Sequence, residues 1–188
     1  MNKKSKMQFI KYLILSDLYR HTGHKSIAAF VKTYYRVPGF NFMVWLRIRS
    51  VVKSKLVGYI LFQKRIRFGM DIQTMCIGEG FYIGHYGTIV VSAEAIIGKN
   101  CNISQGVTIG VLNTGPKTGA PLIGDNVYIA PGAKIIGQVR IGNNVAIGAN
   151  SVVATDVPDN AVVVGLPARV VSYDGSQGYI QNIYPGEV

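Results

Sequence analysis

Aliphatic residues recur every six positions across residues 77–153. Ile97, Ile103 and Ile109 hold that spacing, and after a break Ile123, Ile129, Ile135, Ile141, Ile147 and Val153 hold it again. An earlier run, Ile77, Ile83 and Ile89, joins Ile97 through a slip of two residues. A helix repeats near 3.6 residues and a half-buried strand near two, so neither selects one position in six. A hexad period predicts a parallel β-helix. Each block is one short strand and one turn, and three blocks make one triangular coil. The aliphatic side chain points inward, so stacked coils bury a continuous column of Ile and Val. The following residue, usually Gly or Ala, occupies a tight corner where a larger side chain would crowd the backbone. Fourteen residues separate Ile109 from Ile123 where twelve would keep the frame. The Gly-, Thr- and Pro-rich stretch within that break, residues 112–120, is expected to project as a loop.

Upstream the period changes. Phe9, Tyr12, Leu13 and Leu15 begin an apolar stripe, residues 22–26 interrupt it, and Ile27, Phe30, Val31 and Tyr34 resume it at helical spacing. Val37-Pro38-Gly39 ends that segment, and Val44, Trp45, Ile48, Val51, Val52 and Leu56 mark a longer helical stretch over residues 41–68. The expected organisation is a helical segment over 1–70, a β-helix over 71–171 and a tail over 172–188. The tail has no clear period and reads either as a flexible extension or as a strap across a neighbouring subunit.

Charge sharpens this division. Residues 1–70 hold 15 of the 20 Lys and Arg and one acid, Asp17; residues 71–188 hold five basic and eight acidic residues. The basic character therefore belongs to the helical segment, which also carries 12 of the 19 aromatic residues. One reading is a cap over the open end of the β-helix, with its basic residues facing water. Another is a cap that also touches an anionic membrane surface. Nucleic-acid binding is set aside, because no recognised motif accompanies the charge. The longest apolar run, residues 56–62, contains a glycine and falls far short of the roughly 20 residues that span a bilayer. No secretory pattern opens the chain. The expected location is cytoplasmic, at the inner membrane face where the helical segment touches lipid. Cys76 and Cys101 lack CxxC spacing, so free thiols and no metal site are expected.

A regular β-helix needs no histidine, yet His85 lies inside the repeat, in Ile83-Gly84-His85-Tyr86-Gly87-Thr88. The array closes with Gly165-Leu166-Pro167-Ala168-Arg169. With Ile103-Ser104-Gln105-Gly106-Val107-Thr108-Ile109-Gly110 and Ile123-Gly124-Asp125-Asn126-Val127, these strings resemble the hexapeptide-repeat acetyltransferases. Residues 71–169 resemble serine acetyltransferase and, more closely, the O-acetyltransferases of capsule and exopolysaccharide pathways, such as the colanic acid type.

The resemblance implies a mainly β fold: a left-handed parallel β-helix of hexapeptide repeats with an N-terminal α-helical segment. It implies acetyl-CoA as co-substrate, a homotrimer with shared sites, and His85 as general base. Imidazole suits that task because it titrates near neutrality. Asp71 falls where serine acetyltransferase keeps the carboxylate that orients the base. Gly110, Ala130, Pro131 and Ala149 fall where relatives meet CoA, and Arg169 is a candidate for its phosphates. Asn102, Gln105 and Asn113 are polar candidates near the site, or turn residues and members of an Asn ladder. Neither cysteine is placed to form an acyl-enzyme, so direct transfer is expected.

Three positions depart from serine acetyltransferase. Gly84 stands where that enzyme has an Asp before its base, and Gly119 and Ala120 stand where it has Arg and a second His. These groups hold the amino acid there, so the expected acceptor is a saccharide hydroxyl in surface-polysaccharide biosynthesis. The alternatives are serine O-acetylation in cysteine biosynthesis and, from another class, a non-catalytic β-helix scaffold or binding module.

Overall fold

A computed structural model describes residues 3–186. Four helices come first: α1 (Lys3–Thr22), α2 (Ile27–Arg36), α3 (Pro38–Val51) and α4 (Lys55–Phe68). The stretch 41–68 is thus two helices. Val52 takes extended geometry and closes α3, and Gly69 closes α4 in the left-handed region that glycine tolerates.

Fourteen short strands follow. They are β1 (Met70–Ile72), β2 (Tyr82–Ile83), β3 (Ile89–Val91), β4 (Ile96–Ile97), β5 (Asn102–Ile103), β6 (Thr108–Gly110), β7 (Leu122–Ile123), β8 (Tyr128–Ile129), β9 (Lys134–Ile136), β10 (Arg140–Ile141), β11 (Ala146–Ile147), β12 (Val152–Val153), β13 (Val162–Gly165) and β14 (Ala168–Ser172). Up to β13, successive strands fall in different sheets, ordered β1-β3-β6-β9-β12, β10-β7-β4 and β14-β13-β11-β8-β5-β2. Pairing is parallel except where β14 folds back on β13. This is the left-handed β-helix, and its sheets are the three faces of a prism. Ile83, Ile103, Ile129 and Ile147 stack in one inward column, each at most 1 % exposed. Full burial of such a side chain stabilises by roughly 1.5–3 kcal/mol.

The small residues have a steric reason. A Cβ on Gly98 would meet the Gly124 carbonyl oxygen at 2.5 Å, and one on Gly124 would meet that of Gly142 at 2.8 Å. Another corner turns through Asn100, Asn126, Asn144 and Asn160, all with positive φ. Asn126 Nδ2 donates to Asn144 Oδ1, and Asn144 Nδ2 to Asn160 Oδ1, each at 3.0 Å. The Asn ladder is therefore built from these residues and not from Asn102, Gln105 or Asn113.

Several coils depart from the common length, and two of the departures bear on the site. Ile97 pairs with Ile123, 26 positions on, whereas Ile129 pairs with Ile147, 18 positions on. The projecting loop adds eight residues to its coil, not the two that a twelve-residue frame implies. Its base is pinned by Leu112 and Gly119, which exchange backbone hydrogen bonds of 3.0 and 2.9 Å. The second departure is the two-residue slip, which the sequence placed after Ile89 and the structure places between Ile83 and Val91. Ile83 pairs with Ile103 and Val91 with Ile109, so the first coil carries two extra residues in the turn between β2 and β3. That turn holds His85.

The helices close the open end of the coil. Phe42, Met43, Leu46 and Leu61 belong to the same buried cluster as the Ile and Val columns. Polar side chains occupy the backbone groups of the first coil, which have no coil beneath them. Arg47 donates to the carbonyls of Ile77 and Gly78, each at 2.6 Å, and pairs with Asp17 at 2.8 Å. Asp17 also accepts from the Phe81 N–H, and Ser16 Oγ from the Gly80 N–H. Arg20 donates to the Gly80 carbonyl. So Arg20 and Arg47 are buried, and the basic residues of 1–70 are not all a solvated face.

The tail from Tyr173 packs as a strap on its own chain. It descends the Asn corner towards the helices. The Ser176 N–H donates to the Asn144 carbonyl and Ser176 Oγ to the Asn126 carbonyl; Asn100 holds both backbone groups of Tyr184. The Tyr184 ring packs edge-on against Tyr12 and Tyr19. Among the described residues, no helix is long and apolar enough to cross a membrane.

Candidate active site

The two-residue expansion pushes His85 out of the coil. Its side chain is exposed, and among the described residues the imidazole has no hydrogen-bond partner. It stands at the wall of a cavity of about 320 Å³. One side of that cavity is sheet: Tyr82, Asn102 and Ser104. The other is Arg20 and His21 from the end of α1, with Tyr179 and Gln181 of the strap. Asn102 links the walls, because its Oδ1 accepts from Arg20 at 2.6 Å and its Nδ2 donates to the Tyr179 carbonyl at 3.3 Å.

Burial governs the electrostatics. His21 packs 4.4 Å from the Tyr82 ring. Its pKa is pushed down to about 4, first by loss of solvent and then by the nearby Arg20 charge. Arg20 is 2 % exposed, and burial lowers its pKa to about 10, still charged at neutral pH. Cys101 is buried in the coil and pushed up to about 12 by desolvation, an inert thiol. Cys76, by contrast, is exposed. Neither lines the cavity.

Several expected residues meet along one prism corner, between the six-stranded and five-stranded sheets. The Gly106 N–H donates to the Gly87 carbonyl, Gly132 to Gln105, and Asn150 to Pro131. The turns holding His85, Gln105, Ala130-Pro131 and Ala149 therefore stack coil upon coil. At about 4.8 Å per coil, this edge runs roughly 14 Å from His85 to Ala149. Gln105 Oε1 is buried there without a hydrogen-bond partner. Arg169 is exposed on β14, beyond the last of these turns.

Others do not join them. Asp71 lies on the five-stranded sheet, where it pairs with Arg65 and accepts from Gln73 Nε2 at 3.0 Å; its carboxylate makes no bond to His85. Gly110 ends β6, also on that sheet, with Ile136 Cδ1 against it. Asn113 sits on the projecting loop, which leaves the prism between the five-stranded and three-stranded sheets. Within one chain the loop and His85 are at different corners. Arg20, His21, Tyr82 and the strap had no signal in the hexad pattern. Only the histidine itself, out of place in a regular repeat, marked this turn as unusual.

Residues 120–155 match the family model described as bacterial transferase hexapeptide (six repeats). The serine acetyltransferase of Synechococcus elongatus is 38 % identical over 148 residues, covering 73 % of this chain and 59 % of that protein. That of Staphylococcus xylosus is 48 % identical over 128 residues, 65 % of this chain and 58 % of that one. A solved serine acetyltransferase in complex with cysteine superposes with a TM-score of 0.71 at 31 % identity, covering 90 % of this chain and 71 % of the other. The chain belongs to the hexapeptide-repeat acetyltransferase family. It spans somewhat under two thirds of the length of the two sequence relatives. Among family members, soybean serine acetyltransferase superposes with a TM-score of 0.75 at 30 % identity, over 89 % of this chain and 71 % of that one.

These relatives correct the expected acceptor. They are serine acetyltransferases, not capsule or colanic acid enzymes, so the saccharide reading and its place in polysaccharide biosynthesis are withdrawn. The physical reason lies in what three positions can report. Gly84, Gly119 and Ala120 say only that particular side chains are missing there. Groups lining the cavity beside His85 also arrive from α1 and the strap, far away in sequence.

Proposed function

We propose that the chain transfers the acetyl group of acetyl-CoA to the hydroxyl of serine. The acceptor rests on the relatives, and one observation carries the chemistry. His85 is an exposed imidazole with no hydrogen-bond partner among the described residues, at the mouth of a polar cavity and at the foot of the corner that carries Gln105, Pro131 and Ala149. His85 takes the hydroxyl proton as that oxygen attacks the thioester carbonyl carbon. The carbon–sulfur bond then breaks, and the imidazolium returns its proton to the departing thiolate. Carbon, sulfur and proton are all accounted for without an acyl-enzyme.

The stacked edge of Gln105, Pro131 and Ala149 gives an extended CoA a narrow track, small at Pro131 and Ala149 and polar at Gln105, and Arg169 stands beyond it for a phosphate group. Because the projecting loop and His85 occupy different corners, the loop of one copy is free to complete the site of the next. That geometry supports a cyclic trimer with shared sites. Exposed Ile96 and Leu122 stack on the three-stranded sheet and offer an apolar surface for such packing. Asp71 joins the catalytic group only by exchanging Arg65 for His85.

A peripheral contact with anionic lipid rests on α4. It exposes Leu56, Tyr59, Phe62 and Ile66 along one side, with Lys55 and Arg67 on the same helix. Sedimentation with phosphatidylserine vesicles tests it; binding that is absent at low salt removes it.

Mass analysis of a reaction containing acetyl-CoA and L-serine tests the main reading. O-acetylserine is the expected product. Acetyl-CoA left intact in the presence of serine, and consumed with a different hydroxyl compound, overturns it.

A further inference from the structure

Among the described residues, no carboxylate is bonded to Arg20. Its Nε donates to the Gln181 carbonyl at 3.0 Å, Nη1 to the Gly80 carbonyl at 2.6 Å and Nη2 to Asn102 Oδ1 at 2.6 Å. All three acceptors are neutral. Asp17, one turn earlier on α1, is engaged by both Arg47 nitrogens and by the Phe81 N–H. Among the described residues, Arg20 makes no ion pair, and no Asp or Glu lines the cavity. A buried charge whose direct partners are dipoles, with Asp17 acting on it only from a distance, is costly, and a bound anion offsets that cost. Three of the five guanidinium N–H groups are used, which leaves one on each terminal nitrogen. Two parallel donors are the geometry that a carboxylate accepts.

We infer that Arg20 binds the carboxylate of the acceptor amino acid, supplying from α1 the recognition that Gly119 and Ala120 do not supply from the loop. This rests on the serine reading. Arg20 and His85 line the same cavity, and about 320 Å³ accommodates a small amino acid between them. With the carboxylate at Arg20, the side-chain hydroxyl has the direction of His85 open to it. Asn102 is the group that aims the fork, since its Oδ1 fixes Nη2 and its Nδ2 is anchored on the strap.

The decisive variant is Asn102→Asp. It is nearly isosteric, keeps the acceptor for Arg20 Nη2 and gives Arg20 an internal carboxylate, so an incoming one is no longer needed; it also gives up the Nδ2 bond to the Tyr179 carbonyl, which the thermal melt monitors. The expected result is a rise of about 10–100-fold in KM for L-serine, the scale of a lost hydrogen bond to a charged group. KM for acetyl-CoA should hold, and the native preference for L-serine over serinamide should shrink by the same factor. Arg20→Gln should do likewise, with a thermal melt to show that it folds. An Asn102→Asp protein that melts like the native one and keeps its KM for serine overturns the inference.

Failure of the serine reading is separately visible. If the native protein releases no CoA with serine, calorimetric titration with L-serine and with malonate still reads the subsite. Carboxylate binding that Asn102→Asp removes upholds it; equal binding by both proteins, or none by either, overturns it.

Discussion

At His21 the fold has taken a side chain that normally titrates near 6.5 and pushed it down to about 4 by burial. The sign follows directly. Between those values the unfolded chain holds the proton and the folded chain does not, so protons favour unfolding. His21 therefore costs the fold nothing above about pH 6.5, and stability is lost as pH falls from there towards 4. The full shift corresponds to about 3 kcal/mol. Urea unfolding at pH 7.5 and pH 4.5, on the native protein and His21→Gln, checks this. The native protein should lose more stability on acidification than the variant, and equal losses would show that His21 is not held neutral.

At the scale of elements, the junction of α1 and α3 with the first coil is the point of greatest sensitivity. Asp17 and Arg47 are a buried, bidentate pair that also occupies otherwise unpaired backbone groups. Asp17→Asn leaves the guanidinium without its charge partner, and breaking such a pair costs about 3–5 kcal/mol. Denaturant midpoints measure the loss; a change below 1 kcal/mol would mean that the carbonyls alone satisfy Arg47.

This junction also shows where sequence reading stops. Inward positions of the coil were legible because one aliphatic in six has only one structural explanation. The two-residue slip was legible in size but not in place: the hexad frame put it after Ile89, whereas Val91, not Ile89, pairs with Ile109. Asp17, Arg20 and Arg47 were not. A charged residue in a basic helical segment looks solvated until the coil edge that needs its hydrogen bonds is in place. The strap was opaque for a related reason, since its contacts are mostly backbone groups and Asn side chains, which leave no periodic trace. The loop length was misjudged because a hexad frame counts in sixes, and only strand register shows which residues lie outside it.

For the whole molecule, the separation of His85 and the projecting loop onto different corners makes the assembly testable. A shared site predicts a closed trimer, near 61 kDa for three chains of 20.5 kDa. Light scattering coupled to size exclusion measures this directly, and an active species near one chain mass contradicts the shared site. Deleting the strap from Tyr173 onward should lower stability and open the cavity, because Tyr179 and Gln181 form part of its wall. Such a truncation should raise KM for serine more than KM for acetyl-CoA, as steady-state kinetics would show; equal effects on both would place the strap outside the acceptor site.

The most direct test of the whole account is the rate of CoA release from acetyl-CoA with L-serine, for the native protein and for His85→Asn. The account predicts serine-dependent release by the native protein and a fall in kcat of about 10²–10⁴-fold in the variant, with KM for acetyl-CoA little changed. Serine-dependent release that survives His85→Asn undiminished would contradict it.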